Sequence, residues 1–192
     1  MAARTAALAS GQGRLFYVVG ASGVGKDSLI RYAREALGNA HAVVFAHRYI
    51  TRAPEPEGEN HVELTRREFA LRKRHGLFAM TWQSHGYHYA VGIEIDGWLA
   101  KGLAVVVNGS RSYLPAARKR YPDLKIVWIS AKPQVLAARL VRRGRESGTQ
   151  ISERLARNDR LGVRPPRGAL HISNEGTIES AGAQLVDLLC AR

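Results

Sequence analysis

Eight consecutive residues, Gly20, Ala21, Ser22, Gly23, Val24, Gly25, Lys26 and Asp27, fit the phosphate-binding pattern GxxxxGK and depart from it at the last position, where Ser or Thr is expected. The chemistry this implies is the grip of a nucleoside triphosphate. Glycines let the backbone turn its N–H groups toward an anion, and the positive end of a following helix adds to the attraction. Lys26 can reach the terminal phosphates as a mobile point charge. Asp27 offers a hard oxygen where a hydroxyl normally meets Mg²⁺, so it is the candidate metal ligand, with Ser28 displaced by one position. The plainer reading of Asp27 is a first-turn acid favoured by the helix dipole.

A second group of residues is built for anions. Arg142-Arg-Gly-Arg-Glu-Ser-Gly-Thr149 combines glycines with arginine forks, and Arg154 and Arg157 follow it. Beside a phosphate loop, such a segment reads as a lid over a migrating phosphoryl group, here 142–157; in isolation it would read as a solvated basic hairpin.

The elements that position these groups follow from the apolar pattern. Leu15-Phe-Tyr-Val-Val19 has strand length and strand composition, and Asp27 to Leu37 has a helical apolar face ended by Gly38-Asn39. Further strands are expected at 42–46, 103–107, 124–130 and 169–173, and helices at 113–121, 133–142, 151–161 and 177–189. This alternation predicts an α/β fold with a doubly wound parallel sheet. The segment 49–96 breaks it. There a Pro- and Glu-rich loop leads to a short edge strand at 61–64, a capping box at Thr65 to Glu68, and a hairpin from 77–82 to 86–91. Asp96 is expected to cap a short helix ending at Gly102. The segment reads as a substrate insertion over the C-terminal edge of the sheet.

Bulk properties narrow the class. The 192 residues suit one domain, 14–192, behind a disordered tail, 1–13, that lacks the apolar core of a signal peptide. No apolar run approaches the ~20 residues of a membrane span, and Cys190 is alone, so a reducing cytoplasm is expected and no membrane partner. The net charge of +13 suits either nucleic acid or substrates carrying several phosphates. No zinc-finger, RNP or homeodomain pattern accompanies the arginines, which favours phosphoryl transfer and no nucleic-acid partner. The oligomeric state is not fixed by the sequence, and a homodimer is open to it.

Phosphate loop, insertion and arginine-rich lid together resemble the nucleoside monophosphate kinases, a group of P-loop NTPases, and guanylate kinase most. Thr51-Arg52 with Gly58-Glu59, and Trp82 to Tyr89, resemble its substrate segments, and Arg143 and Arg154 its paired lid arginines. The departures are specific. The carboxylate that reads guanine is missing near Met80 and Thr81, Glu55 replaces a second phosphate arginine, and Asn108-Gly-Ser-Arg111 stands where an acidic signature is expected. A guanine left without its acceptor would lose roughly 1–3 kcal/mol. Gly25-Lys-Asp-Ser28, Arg48-Tyr-Ile-Thr-Arg52, Glu59-Asn-His61, Val91 to Leu99, Val107-Asn-Gly-Ser-Arg111 and Arg143-Gly-Arg-Glu146 resemble instead the ribose 1,5-bisphosphate phosphokinases of phosphonate degradation.

That resemblance implies ATP and Mg²⁺, a phosphorylated sugar as the small-molecule partner, and 5-phosphoribosyl 1-diphosphate as product. It implies Lys26, Arg143 and Arg154 as catalytic residues. Arg48 and Arg52 would hold one acceptor phosphate and Arg111 the other, with Ser84, His85, Tyr89 and Asn108 at the ribose or its phosphates. The rival readings are a guanylate kinase with an unusual pocket, a non-catalytic guanylate-kinase-like module, and a basic nucleic-acid-binding protein.

Overall fold

The computed structural model describes residues 13–39, 41–53, 61–143 and 164–191, with the side chains of Arg142 and Arg143 outside the description. The helix expected over 151–161, most of the lid segment, Glu55 and Gly58-Glu59 all lie outside the described residues.

Among the described residues, five strands form a parallel sheet in the order β2-β7-β1-β8-β9: β1 (Arg14–Gly20), β2 (Val43–Phe45), β7 (Ala104–Asn108), β8 (Lys125–Ser130) and β9 (Leu170–Ser173). β1 lies in the middle, between β7 and β8. The chain therefore leaves the centre of the sheet at the phosphate loop, and the strand ends on either side converge on it.

Alternation along β1 divides the core. Leu15, Tyr17 and Val19 point to one face, Phe16 and Val18 to the other. The second face is covered by α1 (Lys26–Leu37), by α5 (Pro133–Arg143) through Leu136, and by α6 (Ile178–Cys190) through Ala181, Leu185 and Leu189. Leu29, Ile30, Ala33 and Leu37 recur at helical spacing on α1 and are all buried.

The first face carries the insertion. A second sheet, in the order β4-β3-β6-β5, is formed by β3 (Arg48–Ile50), β4 (Val62–Glu63), β5 (Phe78–Ser84) and β6 (Tyr87–Gly92). β3–β4 is parallel and the other pairs are antiparallel. Its Ile50, Met80, Trp82, Tyr89 and Val91 share one core with Tyr17, Val105 and Val107 of the first sheet. Helix α2 (Arg66–Arg74) starts at Thr65, whose side chain accepts the Glu68 N–H, as the capping box predicts. The Glu68 carboxylate turns instead to Arg72, one turn on.

One expected boundary is corrected. Asp96 does not cap its helix. Helix α3 (Glu94–Ala100) begins two residues earlier, and Ile93 at its N-cap makes no side-chain cap bond. The Asp96 carboxylate is drawn across to α4 (Leu114–Arg120), where it accepts from Arg120 and from Tyr121. Burial pushes the Tyr121 phenol up to about 12, and its bond to Asp96 adds to this.

Because Leu29 is fully buried between α1 and the sheet, Leu29→Ala is expected to cost about 2–5 kcal/mol, read from urea unfolding. A loss below about 1 kcal/mol would contradict this packing.

Candidate functional site

The loop after β1 is held in shape from both sides. Gly25 is left-handed (φ 94°), and a Cβ there would lie 2.4 Å from Asn174 Nδ2. Asn174, the residue after β9, is 2% exposed and donates from Nδ2 to the Val24 carbonyl at 2.7 Å. Arg139 of α5 reaches the same carbonyl at 3.4 Å. Asn174 Oδ1 is buried with no hydrogen-bond partner among the described residues. Lys26 Nζ donates to the carbonyls of Gly20 and Ala21, at 3.2 and 3.1 Å, which keeps the ammonium against the loop.

On the opposite side stands a junction of three elements. Asp27, in the first turn of α1, accepts a hydrogen bond from Asn108 Nδ2 at the end of β7, 2.6 Å away. Arg48 of β3 brings a guanidinium nitrogen to 3.9 Å from the same carboxylate oxygen. The Arg48 side chain is 13% exposed and the Asp27 side chain 38%, so the carboxylate is the open member. Arg48 also lies over the Tyr89 ring at 5.3 Å, and Tyr89 stacks on Trp82 at 5.6 Å with the planes 7° apart. Trp82 meets Tyr113 in turn. A guanidinium flanked by a carboxylate and backed by an aromatic stack is held in orientation as well as in charge.

The remaining sequence candidates have definite places. Arg52 is half-buried, 6.0 Å from the Tyr87 ring, and its Nε is buried with no partner among the described residues. It is anchored through its neighbours. Thr51 exchanges bonds with His88 of β6, and His61 Nε2 donates to the Arg52 carbonyl at 2.9 Å. Ser84 ends β5, and His85 with Gly86 makes the two-residue hairpin turn, both with positive φ, 50° and 77°. They sit at the tip beside Tyr87. Arg111 opens a 3-10 turn after β7, three residues from Asn108. Met80 is 1% exposed and packed in the core, so the strand presents no acceptor there.

The structure thus brings Asp27, Arg48, Tyr89 and Asn108 together. Arg52, Ser84 and His85 stand at the far end of the hairpin, while the Arg143 side chain and Arg154 lie outside the described residues. Sequence reading missed Asn174 and gave His61 no role. The signal available for Asn174 was its position, a polar residue directly after a terminal core strand, on the edge where ligands bind.

Among the described residues no three His, Cys, Asp or Glu side chains cluster as a metal cage. Mg²⁺ takes one or two carboxylates and completes its shell with phosphates and water, so the half-open Asp27 carboxylate fits it without a cage.

No family model matches the chain. A protein named ribose 1,5-bisphosphate phosphokinase PhnN from Thiobacillus denitrificans is 55% identical over 179 residues, covering 93% of this chain and 93% of that protein. A protein of the same name from Burkholderia mallei is 54% identical over 176 residues, covering 92% and 95%. Among solved structures, guanylate kinase from Anaplasma phagocytophilum is similar with a TM-score of 0.67 at 18% identity, over 92% of this chain and 84% of that one. This last likeness concerns the fold.

Asn174→Ala should weaken binding of a nucleoside triphosphate about tenfold by calorimetry, since it removes the Val24 carbonyl's shorter bond and loosens the loop. Unchanged affinity would mean that the loop holds its shape without this residue.

Proposed function

The chain belongs to the ribose 1,5-bisphosphate phosphokinase family, and from that membership we propose that it transfers the γ-phosphoryl of ATP to the 1-phosphate of ribose 1,5-bisphosphate, giving 5-phosphoribosyl 1-diphosphate. The observation that carries this reading is the junction of Arg48, Asp27 and Asn108 beside the phosphate loop. It puts a cation and a hydrogen-bonding amide next to the loop, on the side of the insertion.

An oxygen of the 1-phosphate is already ionised at neutral pH. The new bond forms from that oxygen to the γ-phosphorus as the bond to the ADP oxygen breaks, with no proton to remove. Catalysis is then alignment and charge neutralisation. Lys26 and the N–H groups of Gly20 to Ser28 hold the donor phosphates. Arg143 and Arg154 stabilise the charge on the migrating group. Asp27 would hold Mg²⁺, which when bound would supply positive charge to the donor phosphates.

Arg48 from the loop side and Arg52 from the hairpin tip converge on one acceptor phosphate when it binds, and Arg111 takes the other. The desolvated Arg52 Nε supports this, because a buried donor is satisfied by an anionic oxygen. Asn108, Tyr89, Ser84 and His85 serve the sugar hydroxyls or phosphates. The net charge of +13 favours such multiply phosphorylated ligands.

Guanylate kinase activity is the second reading, and the buried Met80 weighs against it because an apolar side chain stands where the guanine-reading carboxylate is expected. No helix among the described residues is long and apolar enough to cross a membrane, and the exposed single Cys190 suits a reducing cytoplasm, in keeping with a step of phosphonate degradation.

Offered ATP with either ribose 1,5-bisphosphate or GMP, the protein should turn over the sugar and leave GMP nearly untouched. Efficient GMP phosphorylation would overturn the proposal. Lys26→Ala should lower kcat at least about 10²-fold while the melting temperature holds, and substantial residual turnover would refute the role of the loop lysine.

A further inference from the structure

Tyr17 is the one aromatic hydroxyl in the centre of β1, and the transfer described above makes no use of it. Its side chain is 0% exposed, in a strand whose neighbours Phe16, Val18 and Val19 carry no polar group. A buried phenol needs partners, and Tyr17 finds both of them on one residue. Its hydroxyl donates to the Ser110 carbonyl at 3.1 Å and accepts from the Ser110 N–H at 2.9 Å. Desolvation raises the Tyr17 pKa far above its ordinary value, with Tyr113 adding to the rise and Ser110 and Arg48 opposing it. The hydroxyl therefore keeps its proton and can donate and accept at once.

Ser110 lies in the turn after β7; its carbonyl accepts the Tyr113 N–H at 3.2 Å, while its N–H has no backbone acceptor among the described residues. Just before it, the Gly109 N–H donates to the Val18 carbonyl at 2.8 Å, extending the ladder past the Val18–Asn108 pair. A Cβ on Gly109 would stand 2.2 Å from Tyr17 Cζ and 2.5 Å from both Cε atoms. The turn thus lies flat on the phenol ring, and any side chain at 109 would lift it off. Asn108 precedes the clamped residues and reaches Asp27; Arg111 follows them and starts the 3-10 turn.

We propose that Tyr17 is a positioning residue for the acceptor. Its hydroxyl gives the Ser110 N–H the acceptor the backbone does not supply and adds a second donor to the Ser110 carbonyl, and so fixes the path of Asn108 to Arg111, the segment that presents an amide to Asp27 and a guanidinium to the sugar bisphosphate. This rests on the acceptor role given above to Asn108 and Arg111. Tyr17 touches no substrate; it acts through the turn.

Tyr17→Phe keeps the ring and removes only the clamp. With the full-length protein, the KM for ribose 1,5-bisphosphate should rise about tenfold, the effect of losing two hydrogen bonds, while the KM for ATP stays within about twofold. Amide exchange at Ser110 should speed up about tenfold or more, with the exchange of the phosphate loop unchanged. Gly109→Ala should give the same split, and the double variant should be no worse than the more damaged single one, because both act on one turn. The proposal is overturned if Tyr17→Phe leaves both KM values at wild type, if it raises them together, or if exchange rises across the whole sheet as for a general core defect. Should wild-type protein fail to phosphorylate the sugar at all, the functional reading falls, and the clamp is judged by exchange alone: unaltered protection of Ser110 in Tyr17→Phe would refute it.

Discussion

The carboxylate of Asp27 is the point on which both halves of the site depend. It follows the loop lysine directly and lies in the first turn of α1, where a negative charge is favoured by the helix dipole. Asn108 holds it by a charge-assisted bond at 2.6 Å, and the Arg48 guanidinium stands at 3.9 Å. These three residues come from α1, β7 and β3. A displacement of any one element is therefore felt at the other two, and a group that binds Asp27 on its open side acts on the residues assigned to the acceptor. A hydroxyl at this position would carry no charge to attract Arg48, so the aspartate at this position couples the first turn of α1 to β3 in a way that Ser or Thr would not.

The sheet makes this convergence possible. In a parallel sheet with its order β2-β7-β1-β8-β9, the loop after β1 is flanked by whatever follows β7 on one side and β8 and β9 on the other. The β7 side supplies Asn108, the clamped turn and Arg111. The other side supplies Asn174, with Arg139 from α5, and both act on the Val24 carbonyl that shapes the loop. The residues that shape the loop and those that reach Asp27 are thus separated by the width of one strand. Behind the acceptor side, the stack of Tyr113, Trp82 and Tyr89 fills the space under Arg48 with rigid rings, and Met80 closes it with an apolar side chain. That environment holds the Arg48 guanidinium in place and puts an apolar side chain at Met80.

Much of this was legible in the residues. The phosphate loop has a local cause, glycines and a lysine at fixed spacing between a strand and a helix, and local causes survive in sequence. The continuous apolar runs of β1, β7 and β8 likewise announce strands buried on both faces. Asp96 shows where local reasoning fails. As an acid near the start of a short helix it has the composition of a cap, yet Tyr121 and Arg120, distant in sequence, offer it better partners across α4. His61 was unreadable for the same reason: its bond to the Arg52 carbonyl exists only because β4 lies against β3.

By itself, the chain determined the α/β pattern, the phosphate loop, the odd Asp27 and the arginines available for phosphate, because each is written within a window of a few residues. Tertiary structure alone decided which of those arginines stands next to the loop, that Asn108 bonds Asp27, that Asn174 holds the Val24 carbonyl, and that Tyr17 grips Ser110. Those pairings span 81, 150 and 93 positions for the three hydrogen-bonded cases. No pattern within a local window encodes them; they follow from strand order and from the alternation that sends Tyr17 to one face of the sheet and Val18 to the other.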